Sequence, residues 1–485
     1  MINLNRFKPS WYDPCYTLEA GHTFWGDTHM LNRIKSYLFL GLIFTCVACG
    51  GGQSNNNNPG NSPTPPPASP PPPPVSDFDQ DGTADEVDSD DDNDSFSDGQ
   101  DALPFDANEW IDTDGDGVGN NTDTNDDNDG IEDLNDPYPN CDDHVAKVYR
   151  GNITAQTLDI LANGDYCAID GDVIFQQGDP INSLAPLAKI TQITGHLTIG
   201  RTPNLHSFEG LNNLIIVGKD LVIGPFNTID SLDAFQNLNL IQGNFYIGKN
   251  TLTNAGQFPS LIYVGKQLQI FSNSNLTTLS GFNRLLTIGE TMGVFNNPHL
   301  QEISGFNQLN TFKGDPNFLP FIKGEVAIVS NQQLTNVSGF SQTASLTRLN
   351  VSMNRALIEI TGFTSLKKVQ NQLLIYNNNL VHFDGLGQLT TVGGEGDAGN
   401  GQKFYFGKLI IEENRQLTSL AGLRNLSYVG QELTINENRS LGIGTSIFVD
   451  PLRGDLAAGL ATLRAMPQFL DNIVVGEKIH LEDNR

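Results

Sequence analysis

The chain has 485 residues, 38% of them hydrophobic, and a formal net charge of −29; it is too long for one ordinary compact domain and apolar enough to build a core. The charge is concentrated: residues 77–136 carry 21 Asp and 3 Glu with no Lys or Arg, so −24 of the −29 sits in that segment and about −5 is left for the other 425 residues. No basic patch is available to neutralise phosphates, which argues against nucleic acid as a partner, whereas a packed block of aspartates points to cations.

In chain order, residues 1–29 contain Asp13, Glu19 and Asp27 among aromatic clusters and do not read as an address. A complete export signal starts at Met30, which is the expected true start. Arg33 and Lys35 precede an apolar stretch from Ser36 to Val47. That stretch is shorter than the about 20 residues of a bilayer span and fits a signal-peptide core over residues 30–48; a short transmembrane anchor is the alternative. Cys46-Val47-Ala48-Cys49-Gly50-Gly51 resembles a bacterial lipoprotein signal, although Cys46 stands where the family usually has Leu. The resemblance implies cleavage before Cys49, lipid on Cys49 and, with Gly50 following, sorting to the outer membrane and cell surface. Residues 49–76 (CGGGQSNNNNPGNSPTPPPASPPPPPVS) cannot bury a core and predict a tether with polyproline II character.

The acidic segment keeps a 12-residue register, D-x-D-x-D-G-x-x-D-x-x-D, in four copies. They are Asp77, Asp79, Asp81, Gly82, Asp85, Asp88; then Asp90, Asp92, Asp94, Ser95, Asp98, Asp101; then Asp112, Asp114, Asp116, Gly117, Asn120, Asp123; then Asn125, Asp127, Asp129, Gly130, Asp133, Asp136. Calcium takes six to eight oxygens from a flexible loop; positions 1, 3 and 5 converge when the loop curls, glycine at 6 permits the turn, and 9 and 12 close the shell. Position 12 is Asp rather than Glu, and no amphipathic helices flank the loops, so these are not EF-hands. Starts spaced by 13, 22 and 13 residues resemble thrombospondin type-3 repeats over 77–139. The resemblance implies that Ca2+ replaces a hydrophobic core and that the segment forms a semi-rigid rod. The alternative is a disordered acidic spacer with loose cation binding.

Beyond Pro139 a period near 23 residues appears. Its phrase, Gly-x-x-Leu-x-Ile followed by Asn, Leu, a Gly-apolar pair and Leu-x-x-Val, starts at Gly195, Gly218, Gly243, Gly265, Gly324, Gly407 and Gly430, and less regularly at Gly289, near Thr347 and at Asn371. Insertions fall near 313–322 and 393–404. Short alternating apolar runs punctuated by Gly, Asn and Ser are strand chemistry, and stacked repeats bury what one repeat cannot. The predicted fold is mostly β, a parallel β-helix or solenoid of about ten coils after irregular calcium loops. Asn250, Asn273, Asn297, Asn331, Asn354, Asn378, Asn414 and Asn438 recur three residues after the Ile position, predicting an asparagine ladder at a corner that tolerates left-handed backbone. The extra residues in L-x-x-V-G-x-x-L-x-I distinguish the phrase from a leucine-rich repeat. Residues 169–450, most clearly LTSLAGLRNLSYVGQELTINENRSL (417–441), resemble the receptor L domain, which implies a right-handed, three-sided β-helix with a binding role.

The predicted domains are therefore 77–139 calcium repeats, 140–194 cap and first coil, 195–450 solenoid and 451–485 C-terminal cap, with capping helices at 153–164 and 455–465. Cys141 and Cys167, left over in an exported chain, predict a disulfide; two buried thiols are the alternative. The eight histidines form no HxxxH or HExxH, and no G-x-S-x-G elbow or P-loop occurs, so no enzyme is expected. Glu412, Glu413, Glu437, Arg415 and Arg439 stack in adjacent coils and leave a carbohydrate-active β-helix enzyme as a competing reading, with surface ion pairs the plainer one. Arg453-Gly454-Asp455 is weak evidence for integrin-type recognition. Phe318, Phe321, Phe404, Tyr405 and Phe406 lie in or beside the insertions and favour a surface binding or adhesion protein, with an extracellular protein or glycan as ligand, over an envelope spacer without one; packing of the insertion onto the rod explains them as well.

Overall fold

A computed structural model describes residues 76–485 apart from 95, 226–228, 230, 256–257, 313–323, 398–401, 442–446, 450–473, 477 and 483–485. The start at Met30, the export signal, Cys49, the tether through 75, the 313–322 insertion, Arg453-Gly454-Asp455 and the 455–465 helix lie outside the described residues. Among the described residues, no helix is long and apolar enough to cross a membrane.

Each repeat folds as its period-2 pattern dictates. Leu-x-Ile places two side chains on one face of a strand, and the intervening residue faces outward. One coil shows the whole circuit. Glu325–Val329 forms the main strand, Asn331 turns the corner, Asn336–Val337 forms a second short strand, Gly339-Phe340 turns again, and Ser345–Ser352 begins the next main strand. Successive coils stack with parallel pairing, for example Leu268↔Met292 and Ile270↔Val294, then Met292↔Val326 and Val294↔Ile328. The result is a β-solenoid of about 11 parallel coils.

Three stacks of parallel strands line it. The widest sheet runs through Val173–Phe175, Leu197–Ile199, Leu221–Ile223, Phe245–Gly248, Leu268–Phe271, Thr291–Phe295, Glu325–Val329, Ser345–Ser352, Lys368–Tyr376, Lys408–Glu412, Glu432–Asn436 and Lys478–Glu482. A second stack of short strands includes Gln192–Ile193, Ile216–Val217 and Leu240–Ile241, and a four-stranded stack joins Thr278–Leu279, Glu302–Ile303, Asn336–Val337 and Glu359–Ile360. In Ser345–Ser352 a bulge between Leu346 and Arg348 lets one strand serve two stacks. Ile447–Val449 then pairs antiparallel with Lys478–Glu482 and covers its edge.

The interior is a set of columns. Phe208, Phe235, Phe258, Phe282, Phe306, Phe340 and Phe363 are buried with successive ring centroids 4.6–5.9 Å apart, tilted between Phe208 and Phe235 and stacked from Phe235 onward. Phe306, Phe340 and Phe363 hold left-handed backbone at φ 66°, 66° and 61°, an unusual demand on a bulky residue. The preceding glycine explains why the corner still closes: a Cβ on Gly339 would meet the Gly305 carbonyl oxygen at 2.0 Å, and one on Gly362 would meet that of Gly339 at 2.1 Å.

The asparagine ladder is present, with one correction. Asn273, Asn297, Asn331, Asn354 and Asn414 are fully buried. Each backbone N–H donates to the side-chain oxygen of the next ladder asparagine, from Asn250 to Asn273 (3.2 Å) through Asn414 to Asn438 (3.0 Å). Each Nδ2 donates to a carbonyl of the preceding coil, as Asn331 does to Val294 at 2.9 Å. The left-handed residue, however, is the one before the asparagine: Lys249, Ser272, Asn296, Ser330, Met353, Asn377, Glu413 and Glu437 have φ of 51–61°. This frees the ladder residue to spend its amide on the axial hydrogen bonds.

Two boundaries, the C-terminal end of the coils and the extent of the N-terminal helix, differ from those read in the sequence. The first coil, expected within 140–194, has its main strand at Val173–Phe175, and the coils continue past 450, because Lys478–Glu482 pairs in register with Glu432–Asn436. The helix expected over 153–164 shrinks to Asp159–Ala162, since Ile153 is instead bridged to Val173. The insertion near 393–404 is a hairpin, Gly394–Asp397 against Lys403–Phe406.

Cys141 and Cys167 are disulfide-bonded, with Cα atoms 5.4 Å apart and a sequence separation of 26. Cys141 packs with Tyr138 and Ala168 where the acidic segment enters the solenoid. Closing this loop is expected to contribute about 3 kcal/mol; C141S/C167S should lower the denaturant midpoint accordingly, and an unchanged midpoint would refute the contribution.

Candidate metal centre and its seat on the solenoid

The acidic segment repeats one backbone design. At position 4, Gln80, Asn93, Gly115 and Asn128 are left-handed (φ 62°, 56°, 76° and 56°), and at position 6 so are Gly82, Gly117 and Gly130 (φ 101°, 92° and 94°). The short Asp side chains then hydrogen-bond locally, as their chemistry favours. At position 5, Asp81, Asp94, Asp116 and Asp129 accept the amide two residues on, at 2.7, 2.7, 2.9 and 2.6 Å.

Position 9 is a clamp. The side-chain oxygens of Asp85, Asp98, Asn120 and Asp133 accept the amides of Phe78, Asp91, Thr113 and Asp126 at 2.8–3.0 Å. Their own amides donate back to Ser76, Ser89, Ile111 and Thr124. Asn120 also donates its Nδ2 to Thr113 Oγ1 at 2.8 Å, so both ends of its side chain take part in loop closure. Position 12 joins neighbouring loops: Asp88 Oδ1 accepts the amides of Ser89 and Asp90, and Asp123 Oδ1 those of Thr124 and Asn125.

The remaining oxygens converge. Ligand atoms of Asp77, Asp79 and Asp81 lie within 4.8 Å of one another, as do those of Asp90, Asp92 and Asp94, of Asp112, Asp114 and Asp116, and of Asp127, Asp129 and Asp136. Two ligands on opposite sides of an ion at about 2.4 Å are separated by about this distance. Several of these atoms are buried and have no hydrogen-bond donor: Asp77 Oδ1, Asp92 Oδ2, Asp101 Oδ2, Asp114 Oδ2, Asn125 Oδ1 and Asp136 Oδ2. These six occupy positions 1, 3 or 12; Asp91 Oδ1, at position 2, is also buried without a donor. Buried polar atoms are normally satisfied, so the donor set, hard oxygens without protein partners, fits a hard cation.

Electrostatics agree. Burial, followed by the charge of neighbouring aspartates, pushes the carboxyl of Asp92 up to about 6, and burial does the same for Asp136, also to about 6. Asp101, Asp114 and Asp127 are likewise raised, chiefly by burial. Asp94 is raised by burial even though Arg284 lies against it.

Long-range contacts seat the segment on the flank of the solenoid. Arg284 Nη2 donates to Asp94 Oδ2 and to the Asp94 carbonyl, both at 2.8 Å. Its guanidinium lies 4.0 Å from the Trp110 ring centroid and 5.6 Å from that of Phe96, and the two rings stack at 5.4 Å. Trp110 Nε1 donates to Ser260 Oγ at 2.7 Å, and Ser260 Oγ donates to the Gln236 carbonyl. At the far end, Gln192 Nε2 donates to Pro137 O and Thr191 Oγ1 to Asn140 O. The segment therefore lies along the coils, not as a rod projecting from them, held there by Arg284, Ser260, Gln192 and Thr191.

The sequence reading missed three groups. Glu109 is buried, accepts the Asn121 amide through Oε2 at 2.9 Å and leaves Oε1 without a donor. Asp143 and His144 approach Asp129, with His144 Nδ1 3.2 Å from its Oδ2. Isolated Trp110 in an acidic run was the one visible signal of docking. Among the solenoid candidates, Tyr376 Oη donates to Glu413 Oε1 at 3.1 Å, and Glu412 is raised by burial and by Glu413 and Glu437; Arg415 and Arg439 are exposed. Phe404 is exposed on the hairpin, while Tyr405 and Phe406 are half-buried.

The class defined is a parallel β-solenoid with a carboxylate-loop segment packed on its flank. No family model, curated protein or solved structure matches the chain.

Proposed function

We propose that this is an exported, lipid-anchored protein of the bacterial cell surface in which calcium, held by residues 77–136, fixes a flank of a β-solenoid that binds an extracellular protein or glycan. The observation that carries the calcium reading is the set of buried oxygens without donors at positions 1, 3 and 12 of the loops. Asp77, Asp79, Asp81, Asp90, Asp92, Asp94, Asp112, Asp114, Asp116, Asp127, Asp129 and Asp136 would hold the ions; Asp101 and Asn125 would complete two of the shells. A bound ion supplies the positive charge that lets these carboxylates stay ionised and close together.

The binding role rests on surface chemistry. Tyr246, Phe271, Phe295 and Val329 occupy outward positions of the widest sheet and are half-buried; this group of apolar side chains on a sheet surface suits a large ligand better than a small-molecule pocket. The resemblances to thrombospondin type-3 repeats, the receptor L domain and a lipoprotein signal support the same reading. Docking through Arg284 and Trp110 favours a brace over a spacer.

Calorimetric titration of the chain from residue 50 with calcium tests the first half. Saturable binding of about four ions is expected; heats no larger than dilution would sink it. A glycan and surface-protein binding screen, repeated after deletion of residues 394–406, tests the second half.

A further inference from the structure

We propose that the second carboxylate loop is a cation-operated clasp: occupancy of the Asp90, Asp92 and Asp94 set and seating of Trp110 on the solenoid are linked through Asp94 and Arg284. The inference rests on the cation reading above and adds what the cation controls.

Asp94 belongs to both structures. It sits at position 5 of the loop, and its ligand atom lies within 4.8 Å of those of Asp90 and Asp92. Its Oδ1 is committed to the Phe96 amide and its Oδ2 to Arg284, 190 residues away in sequence. The Asp94 side chain is fully buried, with 0% exposure, and that of Arg284 is 16% exposed. Asp92, next in the same set, is 6% exposed with Oδ2 lacking any donor. The loop thus holds a buried oxygen that points to a ligand, beside a buried carboxylate that anchors the dock.

Charge makes the two events interdependent. Asp90, Asp92, Asp94, Asp98 and Asp101 lie in one turn of chain, and Arg284 supplies one positive charge against them. Like charges this close favour an expanded loop when no cation offsets them. Expansion would displace Asp94 and Phe96 together. The guanidinium would lose its ion pair and the Phe96 edge of its stack, and Trp110, which shares that stack, would lose its hold on Ser260. Conversely, a closed loop presents Asp94 to Arg284 in a fixed geometry. Coupling of this kind is reciprocal.

The test uses the full chain with Trp11 and Trp25 replaced by Phe, leaving Trp110 as the only tryptophan. Acrylamide quenching is measured in calcium, after chelation and after calcium is restored, alongside a calorimetric calcium titration. Trp110 should be protected in calcium, lose that protection on chelation and regain it on restoration. R284Q should lack protection even in calcium while its far-UV circular dichroism stays that of a β protein. If R284Q fails to fold, D94N, which alters the partner, replaces it. Protection that survives chelation in a chain that binds calcium stoichiometrically overturns the linkage and leaves the calcium reading standing. Protection that persists in folded R284Q overturns the assignment of the clasp. An absence of saturable binding removes both.

Discussion

Chelated protein should become more stable, not less, as the pH falls from about 7.5 to about 5, and calcium should abolish the gain. Asp92 and Asp136 are pushed up to about 6 by burial and by neighbouring carboxylates, against 3.8 for the free side chain. A carboxyl whose folded value is raised is harder to ionise in the native state. Above about pH 6 the native fold bears that cost in full; it is relieved as protons bind between about 6 and about 4. For Asp92, which is 6% exposed, the ceiling is about 3 kcal/mol. Asp94, Asp101, Asp114 and Asp127 move in the same direction. A bound cation offsets the same repulsion without protons, so with calcium in excess stability should be flat or fall toward acid pH as protons displace the ion. Urea unfolding followed by Trp110 emission measures both limbs. A chelated protein that loses stability between about pH 7.5 and about 5 would show that the raised carboxylates are not the dominant titrating groups.

Much of this site was legible because its chemistry is local. Asx bonds span two residues, left-handed backbone at position 6 asks for glycine, and both write themselves into a 12-residue register. The role of position 9 was less legible. Asp85, Asp98 and Asp133 suit a ligand as well as a clamp by composition; the clamp, which Asn120 makes with both ends of its amide on Thr113, shows only once the loop is seen closed. The seat on the solenoid was not legible. Arg284 and Asp94 are 190 residues apart and Trp110 and Ser260 150 apart, and no periodicity relates them. In the solenoid the 23-residue phrase marks the coils because each must bury the same face. The ladder was visible as an asparagine column, but the strain sits one residue earlier on side chains as different as Lys249, Met353 and Glu437, which share no propensity. The last rung, Lys478–Glu482, escaped because the phrase is interrupted after residue 450.

The second large effect concerns that ladder. N331L should destabilise the protein by about 4 kcal/mol, although leucine has the same side-chain branching and heavy-atom count as asparagine and the site is fully buried. Asn331 Oδ1 accepts the backbone N–H of Asn297 at 3.0 Å and its Nδ2 at 3.1 Å. Asn331 Nδ2 donates to the Val294 carbonyl at 2.9 Å, and its backbone N–H donates to Asn354 Oδ1 at 2.9 Å. Leucine keeps the last of these bonds and deletes the other three, stranding polar groups in a site without water at roughly 1–3 kcal/mol each. The added apolar contact recovers only part of this, because the corner is lined by the strand carbonyls the amide had served. N331D is the sharper control: its carboxylate keeps the acceptor for Asn297 but places a buried charge against the Val294 carbonyl, and it should be at least as damaging. Since each coil rests on its neighbours, the loss should appear in global unfolding, measured by denaturant titration, rather than as local fraying. A change below about 1 kcal/mol in N331L would mean that the ladder records the register of the coils without holding them in it.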